Sequence, residues 1–289
     1  MSGQSLIFCV GAAKSGTSWL QAFLLRHEEC FFRHMKEVHY FDSLDKGGNE
    51  WHVKRQARRL HSARETLARD PKRDRNEWLP VLISDIEDWL AIFDGKTPDD
   101  AAYLDYLGYG RVDAKVVGDF TPAYGGVSRE TLKHMVGLSD NVKFIYIMRD
   151  PVARLWSGFR MILAQQGEDV MADRIAQYLQ SNDGNAVLSG ASDYQDTLEK
   201  LLEVIPREKL HLVFYENMFS QDVIDRICGF LGIKPAPAPI DKIEHKGVRV
   251  TLPSVLKAEF VKKLEPQYSF VNDMMGGVPP EWTENMVSA

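Results

Sequence analysis

Between Leu6 and Leu20 the chain reads LIFCVGAAKSGTSWL, an apolar run broken by a glycine-bounded loop and resumed as a helix-compatible segment. The Leu6 to Val10 run is continuous and bulky, as in a strand buried on both faces, and such strands belong to parallel sheets covered by helices. This opening commits the chain to an α/β architecture. The glycines let the loop pass close to a ligand. The amides that open the following helix, from about Ser15 to Ser18, point outward at the positive end of its dipole, where an anion is favoured. The spacing departs from the Walker A pattern. Lys14 sits two positions before Gly16 and Thr17 follows it, so the lysine faces the middle of the loop instead of the terminal phosphate of a nucleoside triphosphate.

A second buried strand is predicted at Val142 to Met148 (VKFIYIM), running straight into Arg149-Asp150-Pro151 and on to Ser157. Asp150 can cap a helix whose first turn holds Pro151. Two loops at the carboxyl ends of two buried strands place their anion donors on one edge of an open sheet, where ligands of α/β proteins bind. The Lys-Ser-Gly-Thr-Ser loop, the Arg-Asp-Pro turn and the helical serine together resemble the sulfotransferases that use 3′-phosphoadenosine 5′-phosphosulfate (PAPS). That resemblance implies a P-loop-containing α/β fold, with a mainly parallel central sheet flanked by helices. It assigns Lys14, Ser15, Gly16, Thr17 and Ser18 to the 5′-phosphosulfate, and Arg149 and Ser157 to the 3′-phosphate. Lys14 also neutralises charge on the departing phosphate.

The segment Lys36-Glu37-Val38-His39-Tyr40-Phe41-Asp42 is similar to the Lys-Glu-x-His-Phe-Phe-Asp pattern of the glycosaminoglycan-type branch of that family, with Tyr40 in place of the first Phe. The resemblance implies that Glu37 takes the proton from the acceptor hydroxyl, with His39 as the competing base. A carboxylate within hydrogen-bond reach of an alcohol can accept its proton as the bond to sulfur forms. Burial beside Tyr40 and Phe41 is expected to raise the Glu37 pKa, and Lys36 to oppose that shift. Asp42 reads as structural, a candidate helix cap.

Lys36, Phe120 and Tyr194 are assigned to the acceptor. Phe120 stands in Asp119-Phe120-Thr121-Pro122-Ala123-Tyr124, where glycosaminoglycan sulfotransferases commonly carry a sugar-contacting lysine. Losing that cation favours a neutral carbohydrate, a lipid-like or polyketide-like hydroxyl, or another small alcohol; if Phe120 only packs the core, it says little about the acceptor. Late in the chain, Lys246, Gly247 and Arg249 look like the family's loop over the 3′-phosphoadenosine.

The chain of 289 residues, 44% hydrophobic, is read as one domain over 1–289 with a mostly helical insertion at about 44–110. Within the insertion, the basic run from Lys54 to Arg75 reads as a solvated helix face, with a polyanionic acceptor surface as the sharper alternative. The net charge of −6 argues against general nucleic-acid binding. No apolar stretch approaches the roughly 20 residues of a membrane span, and the start lacks a leader pattern, so a cytoplasmic protein is expected. Neither a metal site nor a disulfide framework is expected from Cys9, Cys30 and Cys228. A P-loop kinase, with Asp119 as its Mg²⁺ ligand, is the second reading, and a non-catalytic nucleotide or anionic-glycan binder the third. The acceptor and the oligomeric state stay open.

Overall fold

In the computed structural model, which describes residues 3–45, 48–69, 78–93, 99–181, 192–240 and 248–286, five strands pair in parallel in the order β2-β3-β1-β4-β5. The central strand β1 (Ser5–Gly11) leads into α1 (Thr17–Leu24) and the edge strand β2 (Cys30–Phe31). Helices α2 (Tyr40–Asp45), α3 (Glu50–Arg69), α4 (Trp78–Phe93) and α5 (Asp100–Tyr106) follow before β3 (Val116–Asp119), so the described part of the expected insertion is helical. Helix α6 (Arg129–Gly137) leads to β4 (Val142–Met148), then α7 (Pro151–Gln166), α8 (Glu168–Gln180) and α9 (Tyr194–Val204). Strand β5 (Leu210–Phe214), α10 (Tyr215–Met218), α11 (Gln221–Leu231), α12 (Ser254–Met275) and α13 (Pro280–Met286) complete the chain.

Strand β1 shows why its sequence is apolar throughout. Leu6, Phe8 and Val10 point into one core with α4, α7, α9 and α12, while Ile7 and Cys9 point into the other with α1 and α11. Its neighbours are β3 on one side and β4 on the other. The loops leaving β1 and β4 therefore emerge side by side at the carboxyl edge of the sheet, where the strand order reverses. Asp150 accepts the Ala153 N–H at 2.7 Å and caps α7, as its sequence predicts.

The carboxyl-terminal helices brace this corner. Tyr268 donates to Asp150 Oδ2 at 2.7 Å, Asn285 Nδ2 donates to the same oxygen at 2.8 Å, and Trp282 stacks on Tyr194. The sequence offers no chemistry for this tail. Its part is to hold the turn after β4. Among the described residues no helix is long and apolar enough to cross a membrane.

Candidate active site

The loop after β1 is shaped by two residues with positive φ, Lys14 at 69° and Gly16 at 82°. Gly16 caps α1, and a Cβ there would stand 2.7 Å from Met218 Cε and 2.9 Å from Tyr215 Cδ2, so only glycine fits. The amides of Gly16, Thr17 and Ser18 make no hydrogen bond among the described residues, and the buried Ser15 Oγ has no partner. Orphaned donors at the positive end of a helix are the fittings of an anion site.

Cations converge on this cradle from three directions. Arg149 donates from Nη1 to the Lys14 carbonyl at 3.0 Å and stacks over Tyr215. The Lys14 ammonium reaches across to Met161 Sδ at 3.7 Å on α7; burial, Arg149 and Arg160 push its pKa down against the pull of Glu37. Arg160 lies one turn beyond Ser157 on α7, with a buried Nε that has no partner and Nη1 3.4 Å from the Val248 carbonyl. Sequence reasoning missed Arg160, although its spacing of three from Ser157 puts both on one helix face. Trp156 donates to the Val250 carbonyl at 2.9 Å, so the exposed Arg249 lies on a segment running along α7. Lys246 and Gly247 lie outside the described residues.

The fourth cation is Lys36, which the sequence assigns to the acceptor. Its ammonium donates to Thr17 Oγ1 at 2.8 Å and Ser18 Oγ at 2.9 Å, which puts it on the cradle. Burial in this cationic corner pushes its pKa down. The next residue, Glu37, is thereby fixed beside the cradle, with a side chain 35% exposed.

A buried polar clamp holds the segment that carries Glu37. Asp119 accepts hydroxyl donors from Tyr103 at 2.8 Å, Thr121 at 2.7 Å and Tyr124 at 2.6 Å. Thr121 Oγ1 in turn accepts the Val38 N–H at 2.9 Å, Tyr124 Oη accepts the Tyr40 N–H at 2.9 Å, and Trp89 Nε1 donates to the Val38 carbonyl at 2.8 Å. Asp119 is thus held by three hydroxyls and is 1% exposed. Thr121→Val leaves the Val38 amide without its acceptor. The expected loss is about 1–3 kcal/mol in denaturant unfolding, with turnover lowered and nucleotide affinity unchanged.

His39 stands between two carboxylates. Nδ1 lies 2.9 Å from Asp42 Oδ2 and Nε2 3.2 Å from Glu37 Oε2. Burial pushes its pKa down, but the Asp42 hydrogen bond and the charges of Asp42 and Glu37 carry it up to about 9, so the ring is an imidazolium at neutral pH. For Glu37, burial pushes upward, but the adjacent His39 ring 3.2 Å away and the charges of Lys36 and Arg55 prevail and hold the carboxyl below its ordinary value. The rise expected from sequence is therefore reversed, because three cations outweigh desolvation. Asp42 lies inside α2 and serves as the partner of His39, not as a cap. His52 stacks on His39 with ring centroids 4.3 Å apart. The donor atoms of His39, Asp42 and His52 lie within 4.8 Å of one another. The two rings are inclined by 30°, and His39 Nδ1 is engaged with Asp42 at 2.9 Å.

Two residues expected at the acceptor are buried. Phe120, 2% exposed, packs edge-on against Phe32 in the core on the α1 side of the sheet, so its identity says nothing about acceptor charge. Tyr194 is fully enclosed; its hydroxyl donates to the Arg149 carbonyl at 2.6 Å and accepts the Arg149 N–H at 3.1 Å, so it positions Arg149.

The family model described as "Sulfotransferase family" matches residues 6–237. Among solved structures, a sulfotransferase from Alicyclobacillus acidocaldarius is similar at 19% identity and a TM-score of 0.65, over 97% of this chain and 99% of that one. The sulfotransferase domain of the Synechococcus PCC 7002 olefin synthase is similar at 18% identity and a TM-score of 0.55, over 92% and 94% of the two chains. A sulfotransferase domain from the curacin biosynthetic pathway is similar at 15% identity and a TM-score of 0.51, over 93% and 98%. No curated protein matches the sequence.

Proposed function

The chain belongs to the sulfotransferase family, and from that premise we propose that it moves a sulfuryl group from PAPS to an acceptor hydroxyl by in-line displacement, with Glu37 as general base. The observation that carries this reading is Lys36. Its ammonium lies on the hydroxyls of the anion cradle while the side chain of the adjacent Glu37 is partly exposed, so donor site and base are joined by one residue step.

The donor supplies an activated sulfuryl group on a phosphate leaving group. The unpartnered amides of Gly16, Thr17 and Ser18, the orphaned Ser15 hydroxyl and the ammonium groups of Lys14 and Lys36 fit its 5′ end. Arg149, with Ser157 and Arg160 on α7, fits the 3′-phosphate, because a guanidinium fork matches phosphate oxygens. Lys14 and Lys36 neutralise charge on the leaving group, and the cradle fixes the line of attack.

Glu37 is ionised at neutral pH and partly open to solvent, so it can receive the acceptor's proton. His39, already protonated and held by Asp42, cannot act as that base; it holds the Glu37 carboxylate in place. The unpaired thiols of Cys9, Cys30 and Cys228 fit a reducing, cytoplasmic setting.

Calorimetry tests the donor assignment. Binding of 3′-phosphoadenosine 5′-phosphate without metal is expected, at least about a hundredfold tighter than ATP with Mg²⁺, since the 3′-phosphate adds charge-assisted contacts. Tight ATP·Mg²⁺ binding with none of the bisphosphate favours the kinase reading and overturns this one.

A further inference from the structure

The arginines of α3 fall into two sets. Arg64 pairs with Glu87 at 2.6 Å and Arg69 with Glu65 at 3.3 Å, and near the start of the helix Lys54 pairs with Glu50 at 3.8 Å. These are the solvated face that the sequence predicts. Arg55, Arg58 and Arg59 have no carboxylate within ion-pair distance among the described residues; Arg58 is exposed, and Arg55 and Arg59 lie one turn apart.

Arg55 and Arg59 both act on the segment that carries the base. Arg59 Nη1 lies 3.4 Å from the Lys36 carbonyl, the peptide that joins Lys36 to Glu37. The charge of Arg55 reaches Glu37, and it also acts on Arg59, so two like charges are held near each other without compensation. One turn earlier, Trp51 is 64% exposed, with Arg55 Cζ 5.4 Å from its ring centroid. Its ring meets His52 edge-on at 4.9 Å, and His52 stacks on His39, which links Trp51 through two ring contacts to the neighbour of Glu37.

Lys36 also fixes the side from which an acceptor enters. Its side chain occupies the cradle side of Glu37, and its carbonyl faces Arg59. An acceptor hydroxyl that reaches Glu37 while the donor fills the cradle leaves the rest of its molecule along α3.

We propose that Trp51, Arg55 and Arg59 form an acceptor subsite for an alcohol that carries a carboxylate on the same molecule, its anion held by the two guanidinium groups and an apolar or ring face laid on the indole. This rests on the sulfuryl-transfer reading above. Two uncompensated guanidinium forks gain most from one carboxylate, and an exposed indole beside them gains from a flat partner. The fully buried Phe120 offers no contrary sign.

Phenyl β-D-glucuronide and phenyl β-D-glucoside form a matched pair, differing in a carboxylate against a hydroxymethyl group. Each is titrated calorimetrically into the protein saturated with 3′-phosphoadenosine 5′-phosphate. The glucuronide is expected to bind about tenfold or more tighter. That preference is expected to vanish in Arg55→Ala/Arg59→Ala and to invert in Arg55→Glu, while Trp51→Ala weakens both ligands alike. Bisphosphate affinity, measured first on each variant, reports folding and the donor site. Equal binding of the pair to the wild type, or a preference that survives in the double variant, overturns the subsite. Failure of the bisphosphate to bind overturns the donor reading instead, and the two failures are read in separate titrations.

Discussion

Glu37→Gln is expected to lower kcat by about 10²–10⁴-fold, the usual worth of a positioned general base, while binding of 3′-phosphoadenosine 5′-phosphate is unchanged or tighter. The sign of the binding effect follows from the site. Glu37 is a carboxylate that acts on Lys14 and Lys36, and removing its charge leaves the cradle more cationic toward a polyanion. The pH profile carries the mechanism further. Because Glu37 is held below its ordinary value, the base is fully ionised through neutrality, and kcat/KM falls only on acidification below the usual carboxylate range. On the alkaline side the His39 imidazolium is lost as pH rises through about 9, which releases the Glu37 carboxylate from its partner and lowers kcat/KM there. His39→Gln should remove the His39 part of that alkaline limb, leaving the loss of the Lys14 and Lys36 ammonium groups, whose pKa values are also pushed down, and reduce turnover at neutral pH, with the acidic limb retained. A turnover of Glu37→Gln equal to the wild type removes this residue from the chemistry. An acidic limb lying near neutrality shows that desolvation prevails over the three cations.

What was legible in the sequence was what local pattern determines. β1 and β4 are read from continuous apolar runs because both faces of a central parallel strand are buried, and the loops at their ends carry their own glycine and proline signals. The meeting of Lys14 with Arg149 then follows from strand adjacency. The rest depended on direction. Lys36 and Glu37 are consecutive, yet one lies on the cradle and the other is partly exposed beside His39, and nothing in the segment's composition decides which. The sign of the Glu37 shift depends on His39, two residues on, and on Arg55, eighteen residues on. The division of the α3 arginines is a matter of helix phase: Arg59 and Arg64 are five residues apart, so their side chains leave the axis roughly 140° apart. Phe120 replaces a lysine of the resembling pattern, but the main chain after β3 turns its ring into the core, so a substitution that looked like specificity became packing.

Arg149→Ala is expected to weaken binding of 3′-phosphoadenosine 5′-phosphate by about 10²–10³-fold, through loss of charge-assisted hydrogen bonds to the 3′-phosphate. Its affinity for adenosine 5′-phosphate, which lacks that group, should change far less. The comparison matters because Arg149 also supports the cradle, donating to the Lys14 carbonyl at 3.0 Å, so a purely structural loss weakens both nucleotides equally. Lys14→Ala provides the opposite pattern. Its ammonium lies on the 5′ side, so both nucleotides should lose affinity by a similar factor, and the discrimination between them should persist. Arg149→Lys separates fork from charge: it keeps a cation over Tyr215 but offers no planar pair of donors, and it should recover only part of the lost affinity. If Arg149→Ala costs the two nucleotides the same factor, the 3′-phosphate lies elsewhere, and Ser157 with Arg160 on α7 becomes the place to look. If instead the discrimination collapses in Arg149→Ala and survives in Lys14→Ala, the two ends of the donor are assigned by difference, independently of turnover and of any knowledge of the acceptor.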